Sequence, residues 1–243
     1  MPYPDIPVII TRAEPGAHET AKRLEQKGIP ATVSPVLIMQ NRSQVTLPAA
    51  ATLSGLVFTS ANGVRAYSAR REDRTLPTWC VGPATATAAR EADFEIVHES
   101  AGNAADLAEF IARNSSPGTL PLLHVANGAA KGDLKRALTG HGFETVFAPL
   151  YDMRPAERLS DPTLAALSAQ KPSIVLIHSA KGAQRFAELC PRGAREQVAI
   201  AAISDFAARP LKGLDFNRIQ IASSPNEDGL FEALEAVLAT LSA

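Results

Sequence analysis

The sequence predicts an α/β protein built from two doubly wound parallel-sheet domains, related by internal duplication and joined by a two-stranded connector. Three observations carry this expectation. Short runs rich in Val, Ile and Leu alternate with amphipathic stretches; four segments of the first half recur in the same order in the second; and one recurring pair is longer than the rest and carries a central proline.

Parallel strands covered by helices on both faces read as unbroken apolar runs, unlike the alternating pattern of a half-exposed sheet. Such runs place strands at 7–11, 31–39, 55–59, 78–82, 95–99, 121–125, 144–151, 173–178, 198–203 and 218–222. That is too many for one small open sheet. The segment 27–39 realigns with 141–153 at a constant offset of 114, so that Leu24, Gly28, Pro35 and Met39 fall on Leu138, Gly142, Pro149 and Met153. The segment 57–67 matches 175–186, with Ser60 on Ser179. CVGPATATA then parallels AISDFAARP, and the stretch from Asp93 parallels that from Asp215. Each copy has about five strands, the size of a small doubly wound domain.

Proline is disfavoured within a central strand and tolerated at an edge or a bend. The segments ending at Met39 and Met153 are therefore read as connectors. The domains expected are 1–38 plus 153–243, a discontinuous unit, and 39–152, inserted into it. Two connectors side by side would form a hinge between two lobes, and a cleft between lobes is a common place for a ligand.

Composition narrows the function. Lys and Arg number 24 against 25 Asp and Glu, a net charge of −1, so nothing favours electrostatic capture of DNA, RNA or an anionic membrane. Cys80 and Cys190 form no CxxC pair and are expected to be buried free thiols. The start Met1-Pro2-Tyr3-Pro4-Asp5 lacks the basic and apolar regions of a signal peptide, and no apolar run reaches the ~18 residues of a membrane span. A cytoplasmic protein is expected.

The phosphate-cradling motifs G-x-G-x-x-G and G-x-x-x-x-G-K-[ST] are absent, which leaves NAD and ATP unsupported. His18, His98, His124, His141 and His178 lack metal-ligand spacing, so no metal is expected. His178 precedes Ser179, but adjacent strand residues point to opposite faces and no G-x-S-x-G elbow surrounds them. His124 and His178 read as strand-end histidines satisfied by their neighbours.

What remains is a set of strand-to-helix turns rich in small hydroxyl residues. Thr11-Arg12, Thr59-Ser60-Ala61-Asn62-Gly63, Gly82-Pro83-Ala84-Thr85, Ser179-Ala180-Lys181-Gly182, Ser204-Asp205 and Ser223-Ser224 all follow predicted strands. In open α/β sheets the ligand crevice lies beyond the carboxyl ends of the strands, where helix N-termini present free N–H groups and partial positive charge. Such turns suit carboxylates. The same Ser, Thr and Asn residues also cap the following helices, and a capped helix can still offer its remaining amides to an anion.

Thr11-Arg12, VFTSANGV at 57–64, VGPATA at 81–86, Pro149-Leu150-Tyr151 and HSAKGA at 178–183 resemble, in order and through nearly the whole chain, the uroporphyrinogen-III synthases. The resemblance implies two flavodoxin-like domains joined by a two-stranded antiparallel ladder, and an enzyme, a lyase, that works without metal or organic cofactor. Its substrate would be hydroxymethylbilane, closed with loss of water and inversion of the last pyrrole ring. Tyr151 matches the family tyrosine proposed as proton donor to the leaving hydroxyl; its counterpart in the other copy is Leu37. A phenol with pKa near 10 keeps its proton at neutral pH. Packing in the hinge is the competing role.

The substrate-binding residues expected are Thr11, Arg12, Thr59, Ser60, Asn62, Gly63, Gly82, Thr85, Asn127, Ser179, Lys181 and Ser204, with Arg65, Lys131 and Arg185 as further cations. The chain departs from the family pattern at Ala207, where threonine is common, and at Ala126-Asn127-Gly128, where Arg-Gly is common. A monomer is expected, handed its substrate by the preceding enzyme of the pathway. The alternative is a bilobal small-anion binding or regulatory protein without catalysis.

Overall fold

The computed structural model describes residues 6–130 and 132–241; the candidate cation Lys131 lies outside the described residues. The strands are β1 (Val8–Ile10), β2 (Ala31–Val33), β3 (Leu37–Asn41), β4 (Gly55–Phe58), β5 (Thr78–Val81), β6 (Val97–Ser100), β7 (Leu122–Asn127), β8 (Thr145–Pro155), β9 (Ser173–Ile177), β10 (Val198–Ala202) and β11 (Arg218–Ile221). The helices are α1 (Gly16–Gln26), α2 (Ala61–Ser68), α3 (Gly82–Glu91), α4 (Ala104–Asn114), α5 (Asp133–Gly140), α6 (Asp161–Ser168), α7 (Ala180–Leu189), α8 (Asp205–Ala208) and α9 (Glu227–Leu241). The chain divides into two compact units, Met1–Met39 with Arg154–Ala243, and Gln40–Met153.

The first unit holds a parallel sheet in the order β2-β1-β9-β10-β11. Numbered by their order within the unit this is 2-1-3-4-5, the flavodoxin-like arrangement. Every residue of β1, β9 and β10 is buried, as expected for a sheet covered on both sides. Ile10, Leu176 and Ala201 pack with Ala17 and Leu24 of α1 and Leu230, Leu234 and Val237 of α9 on one face. Helices α7 and α8 pack against the sheet as well.

In the second unit the order is β3-β8-β7-β4-β5-β6, with β8 through β6 all parallel. Val57 and Trp79 pack with Leu107 and Ile111 of α4 and Leu134 and Leu138 of α5, while α2 and α3 pack on each other and on the sheet. Placed side by side, β8-β7-β4-β5-β6 repeats β2-β1-β9-β10-β11 strand for strand, following the same pairs of segments that recur in the sequence. The chain order differs because the places held by the first two strands of one unit are held by the last two of the other. The likeness extends to helix ends. After α1 and α5 the chain turns through Gly28 (φ +72) and Gly142 (φ +85), and the N–H groups of Ile29 and Phe143 return to the carbonyls of Leu24 and Leu138 at 2.9 and 3.0 Å. Left-handed backbone at a helix terminus is where glycine costs least.

One predicted strand is corrected. The run 31–39 is not continuous: it breaks at Ser34-Pro35-Val36 into β2, in the first sheet, and β3, at the edge of the second. Pro35 has no N–H to give, and the last bonds to the first sheet are Ser34 N to Ile10 O (2.9 Å) and Val36 N to Thr11 O (3.1 Å). β3 then lies beside β8. Arg42 N donates to Leu150 O at 2.7 Å and Ala156 N to Val36 O at 2.9 Å; rising numbers on one strand meet falling numbers on the other, so the connectors run antiparallel. A second correction concerns His124, which stands third of six residues in β7 rather than at a strand end.

Two glycines separate backbone strain from steric room. A Cβ at Gly28 meets nothing within 4 Å, whereas one at Gly63 would lie 2.9 Å from the Val125 carbonyl oxygen, where α2 crosses β7. Gly28→Ala should cost about 1 kcal/mol through its positive φ alone. Gly63→Ala should cost more, on the order of 1–3 kcal/mol of overpacking. Urea denaturation of both variants checks this, and a Gly63→Ala variant as stable as the parent would contradict the close α2–β7 contact.

Candidate functional site

Polar groups collect at the carboxyl ends of the strands in each unit, as the geometry of open α/β sheets favours. In the second unit the organising feature is a bulge in β8. Ala126 pairs with Pro149, but the next residue, Asn127, pairs with Tyr151, so Leu150 is the extra residue. Proline cannot continue the ladder and is tolerated at bulges, which re-aim the side chains beyond them. Beyond this one, Tyr151 is 4% exposed.

Burial pushes the Tyr151 phenol above its usual pKa of 10.0, because the phenolate loses its hydration. Hydrogen bonds with the Ser60 side chain and the Asn127 backbone, which favour the charged form, offset part of this. Ser60 also caps α2, its Oγ accepting from Asn62 N at 3.2 Å. Asn62 Nδ2 lies 3.9 Å from Met153 Sδ. Asn127 Oδ1 accepts from Ala129 N at 2.8 Å, turning the chain away from β7. The structure therefore gathers Ser60, Asn62 and Asn127 around the Tyr151–Met153 segment.

The adjoining turn carries a pair that the sequence did not reveal. Arg42 donates through Nε to Asp152 Oδ2 at 2.7 Å and through Nη2 to Oδ1 at 3.0 Å, a bidentate fork. The fork rests on Gly128, where a Cβ would stand 2.6 Å from Asp152 Oδ1. Ala126 is buried in β7, so the polar contact of this turn falls to Asn127. Gly63 serves close packing, and Thr59 is half-buried before the α2 cap. Gly82 and Thr85 belong to the next strand along the sheet: Gly82 opens α3 at φ +72, and Thr85 is buried within that helix.

In the first unit Thr11 is buried and its hydroxyl donates to Leu176 O at 2.7 Å, tying β1 to β9. Ser179 and Ser204 cap α7 and α8, accepting from Gly182 N at 3.1 Å and Ala207 N at 3.2 Å. Ala207 itself is buried. Lys181 is exposed on the first turn of α7. Arg185 donates to the Ala156 carbonyl, with Nε at 2.9 Å, and pairs with Glu188 at 2.7 Å; it braces the chain just beyond β8. Arg65 donates to Asn62 Oδ1 at 3.4 Å.

Arg12 leads to residues that were not foreseen. Its Nη1 lies 3.3 Å from Glu227 Oε2. Thr20 Oγ1 donates to the other oxygen, Oε1, and His178 Nε2 lies 3.4 Å from Oε2. At that separation neither ring nitrogen of His178 makes a well-formed hydrogen bond among the described residues. Burial alone would raise the Glu227 carboxyl, but the contacts from His178, Thr20 and Arg12 outweigh it and hold the group at about 2. In sequence, Glu227 reads only as an acidic residue in the first turn of α9.

The other ionisable interior groups are apolar in behaviour. Burial holds the Cys80 and Cys190 thiols up at about 12 and about 11, and lowers His124, 5.5 Å from the Phe147 ring, to about 4. Among the described residues no three His, Cys, Asp or Glu side chains are grouped to hold a metal, and no helix is long and apolar enough to cross a membrane.

Fold and site define a duplicated, doubly wound α/β protein with its polar turns at the strand ends. The family model described as uroporphyrinogen-III synthase HemD matches residues 18–232, and the chain belongs to that family. Uroporphyrinogen-III synthetase from Helicobacter pylori 26695 is similar in structure, with a TM-score of 0.64 and 16% identity over 96% of this chain and 99% of that one. A mutant uroporphyrinogen III synthase from the extremely thermophilic bacterium Thermus thermophilus gives 0.53 and 16% over 97% and 99%. At these identities the likeness is one of fold. No curated protein matches in sequence.

Glu227 gives a test in acid. Its folded value of about 2 lies below the ordinary 4.5, so its contribution to stability is complete above pH 4.5 and is lost as the pH falls towards 2. Relative to Glu227→Gln, the parent should lose up to roughly 3 kcal/mol of stability across that window. Parallel denaturation curves for the two proteins would contradict the buried, ionised carboxylate.

Proposed function

We propose that this chain is a lyase that converts hydroxymethylbilane to uroporphyrinogen III. The hydroxyl of the terminal hydroxymethyl group leaves as water, and the freed methylene bonds to the substituted carbon of the last pyrrole ring to give a spirocyclic intermediate. The bond from that carbon to its original bridging methylene then breaks, and this methylene rejoins the ring at its free carbon, so the macrocycle closes with the ring inverted. Tyr151 donates a proton to the departing hydroxyl. Ring closure releases one proton from carbon, so donor and product balance over the cycle. Without control of the last ring the other isomer forms, which makes positioning the main task.

The observation that supports this assignment of roles is the buried phenol of Tyr151, raised above pKa 10.0 and hydrogen-bonded to the Ser60 side chain and Asn127 backbone. Such a group keeps its proton at neutral pH, and these neighbours hold its oxygen in place. The substrate carboxylates are held by donors at the strand-end turns: Thr11, Arg12, Thr59, Ser60, Asn62, Gly63, Gly82, Thr85, Asn127, Ser179, Lys181 and Ser204. Backbone N–H groups beyond the Ser caps carry much of this binding, because Thr11 and Thr85 are buried. The two units act as lobes joined through β3 and β8, in a cytoplasmic monomer that receives the linear tetrapyrrole from the enzyme that makes it. A non-catalytic anion-binding role is disfavoured by the family match over residues 18–232.

Incubation with freshly made hydroxymethylbilane, followed by oxidation and separation of isomers, should give the type III product. Type I product alone, at the spontaneous rate, would refute the assignment. Tyr151→Phe should lower kcat by roughly 10²–10⁴-fold, the usual contribution of a positioned acid. An unchanged rate would return Tyr151 to packing.

A further inference from the structure

We propose that Glu227 is a positioning residue: its carboxylate holds Arg12 and His178 as a preset pair of donors for one carboxylate of the substrate. The inference rests on the reading of the strand-end turns as the substrate site, and names the part of that site that determines binding in the first unit.

Arg12 follows β1 and His178 follows β9, two strands paired in register, Ile10 opposite Leu176. In the order β2-β1-β9-β10-β11, chain connections depart to opposite sides between β1 and β9. That switch point is where doubly wound sheets bind ligands, beyond the carboxyl ends of the strands. Glu227 reaches the same place from the start of α9.

The Glu227 carboxylate is shared among three neighbours. Thr20 takes Oε1, while Arg12 and His178 both approach Oε2. Two groups able to donate are thus brought to one oxygen, which fixes their separation. Among the described residues only one guanidinium nitrogen of Arg12 is engaged, at 3.3 Å, and its side chain is 31% exposed. The guanidinium also rests on Gly16 at the start of α1, where a Cβ would come within 2.5 Å of Nε and 2.8 Å of Cζ. Pinned on two sides, Arg12 keeps further donors for a ligand.

The His178 side chain is only 9% exposed, and neither ring nitrogen makes a well-formed hydrogen bond among the described residues. Buried polar groups are seldom left this way, and an entering ligand oxygen would satisfy the ring. A ligand carboxylate entering at the switch point would meet Arg12 and His178 together, with little side-chain freedom left to lose on binding.

The competing idea is that Glu227 occupies the place of a substrate carboxylate and competes with it. The two ideas predict opposite signs. Kinetics of type III formation should show that Glu227→Gln raises KM about tenfold with kcat within about twofold, since a charge-assisted contact is misplaced while the chemistry elsewhere is intact. Glu227→Asp should recover most of the loss, which a merely structural defect would not do. A KM that falls or stays unchanged in Glu227→Gln would overturn the proposal. Should Glu227→Gln fail to fold, Thr20→Val, which removes one donor and no charge, should raise KM about threefold, and an unchanged KM would overturn it equally. Arg12→Gln run alongside separates the layers. If it leaves KM unmoved, this turn is not a substrate site; if it raises KM while Glu227→Gln does not, the site stands and the positioning role falls.

Discussion

A proline has no backbone N–H, and two prolines at equivalent positions decide where this chain changes course. Pro35 offers no donor where the chain leaves the first sheet, and after the bond from Val36 N to Thr11 O the chain continues as β3 at the edge of the second. Pro149 interrupts β8 against β7, so that Leu150 becomes the extra residue and Tyr151 takes the place opposite Asn127. One missing donor thus divides a strand, and the other aims a side chain. The domain connection and the placing of Tyr151 follow from one chemical property used twice.

The two units then use burial in opposite ways. Around Tyr151, burial dominates and the weak acid is held in its neutral form, with Ser60 and Asn127 fixing its orientation. Around Glu227, the contacts from His178, Thr20 and Arg12 overcome burial and the carboxyl stays ionised at about 2. The helix caps Ser60 and Ser179 occupy equivalent positions in the duplication, so the scaffold is shared while the chemistry placed on it differs. Divergence between copies is concentrated in a few side chains, as Tyr151 against Leu37 illustrates.

Much of the fold was legible because the strands are buried on both faces, which leaves apolar runs such as Ile174–Ile177 and Val198–Ala202 with no polar interruption. The caps Ser60, Ser179 and Ser204 were legible for a local reason: the hydroxyl and the N–H it accepts from are two or three residues apart. The break at Pro35 was not, because apolar residues continue through it and only tertiary pairing shows which sheet each half joins. His124 read as a strand end because β7 runs two residues further than the apolar run. Glu227 could not be found from its surroundings in the chain: Arg12, Thr20 and His178 lie far from it in sequence, and helix-start carboxylates are common in any case.

The chemistry read for the second unit depends on the burial of the Tyr151 phenol beside the β8 bulge. Titration of the Tyr151 phenol, followed by NMR in protein labelled at tyrosine and assigned with Tyr151→Phe, measures this without reference to turnover. A midpoint above 10 is predicted; a midpoint at or below 10 would contradict the burial of the phenol on which the reading of the second unit depends.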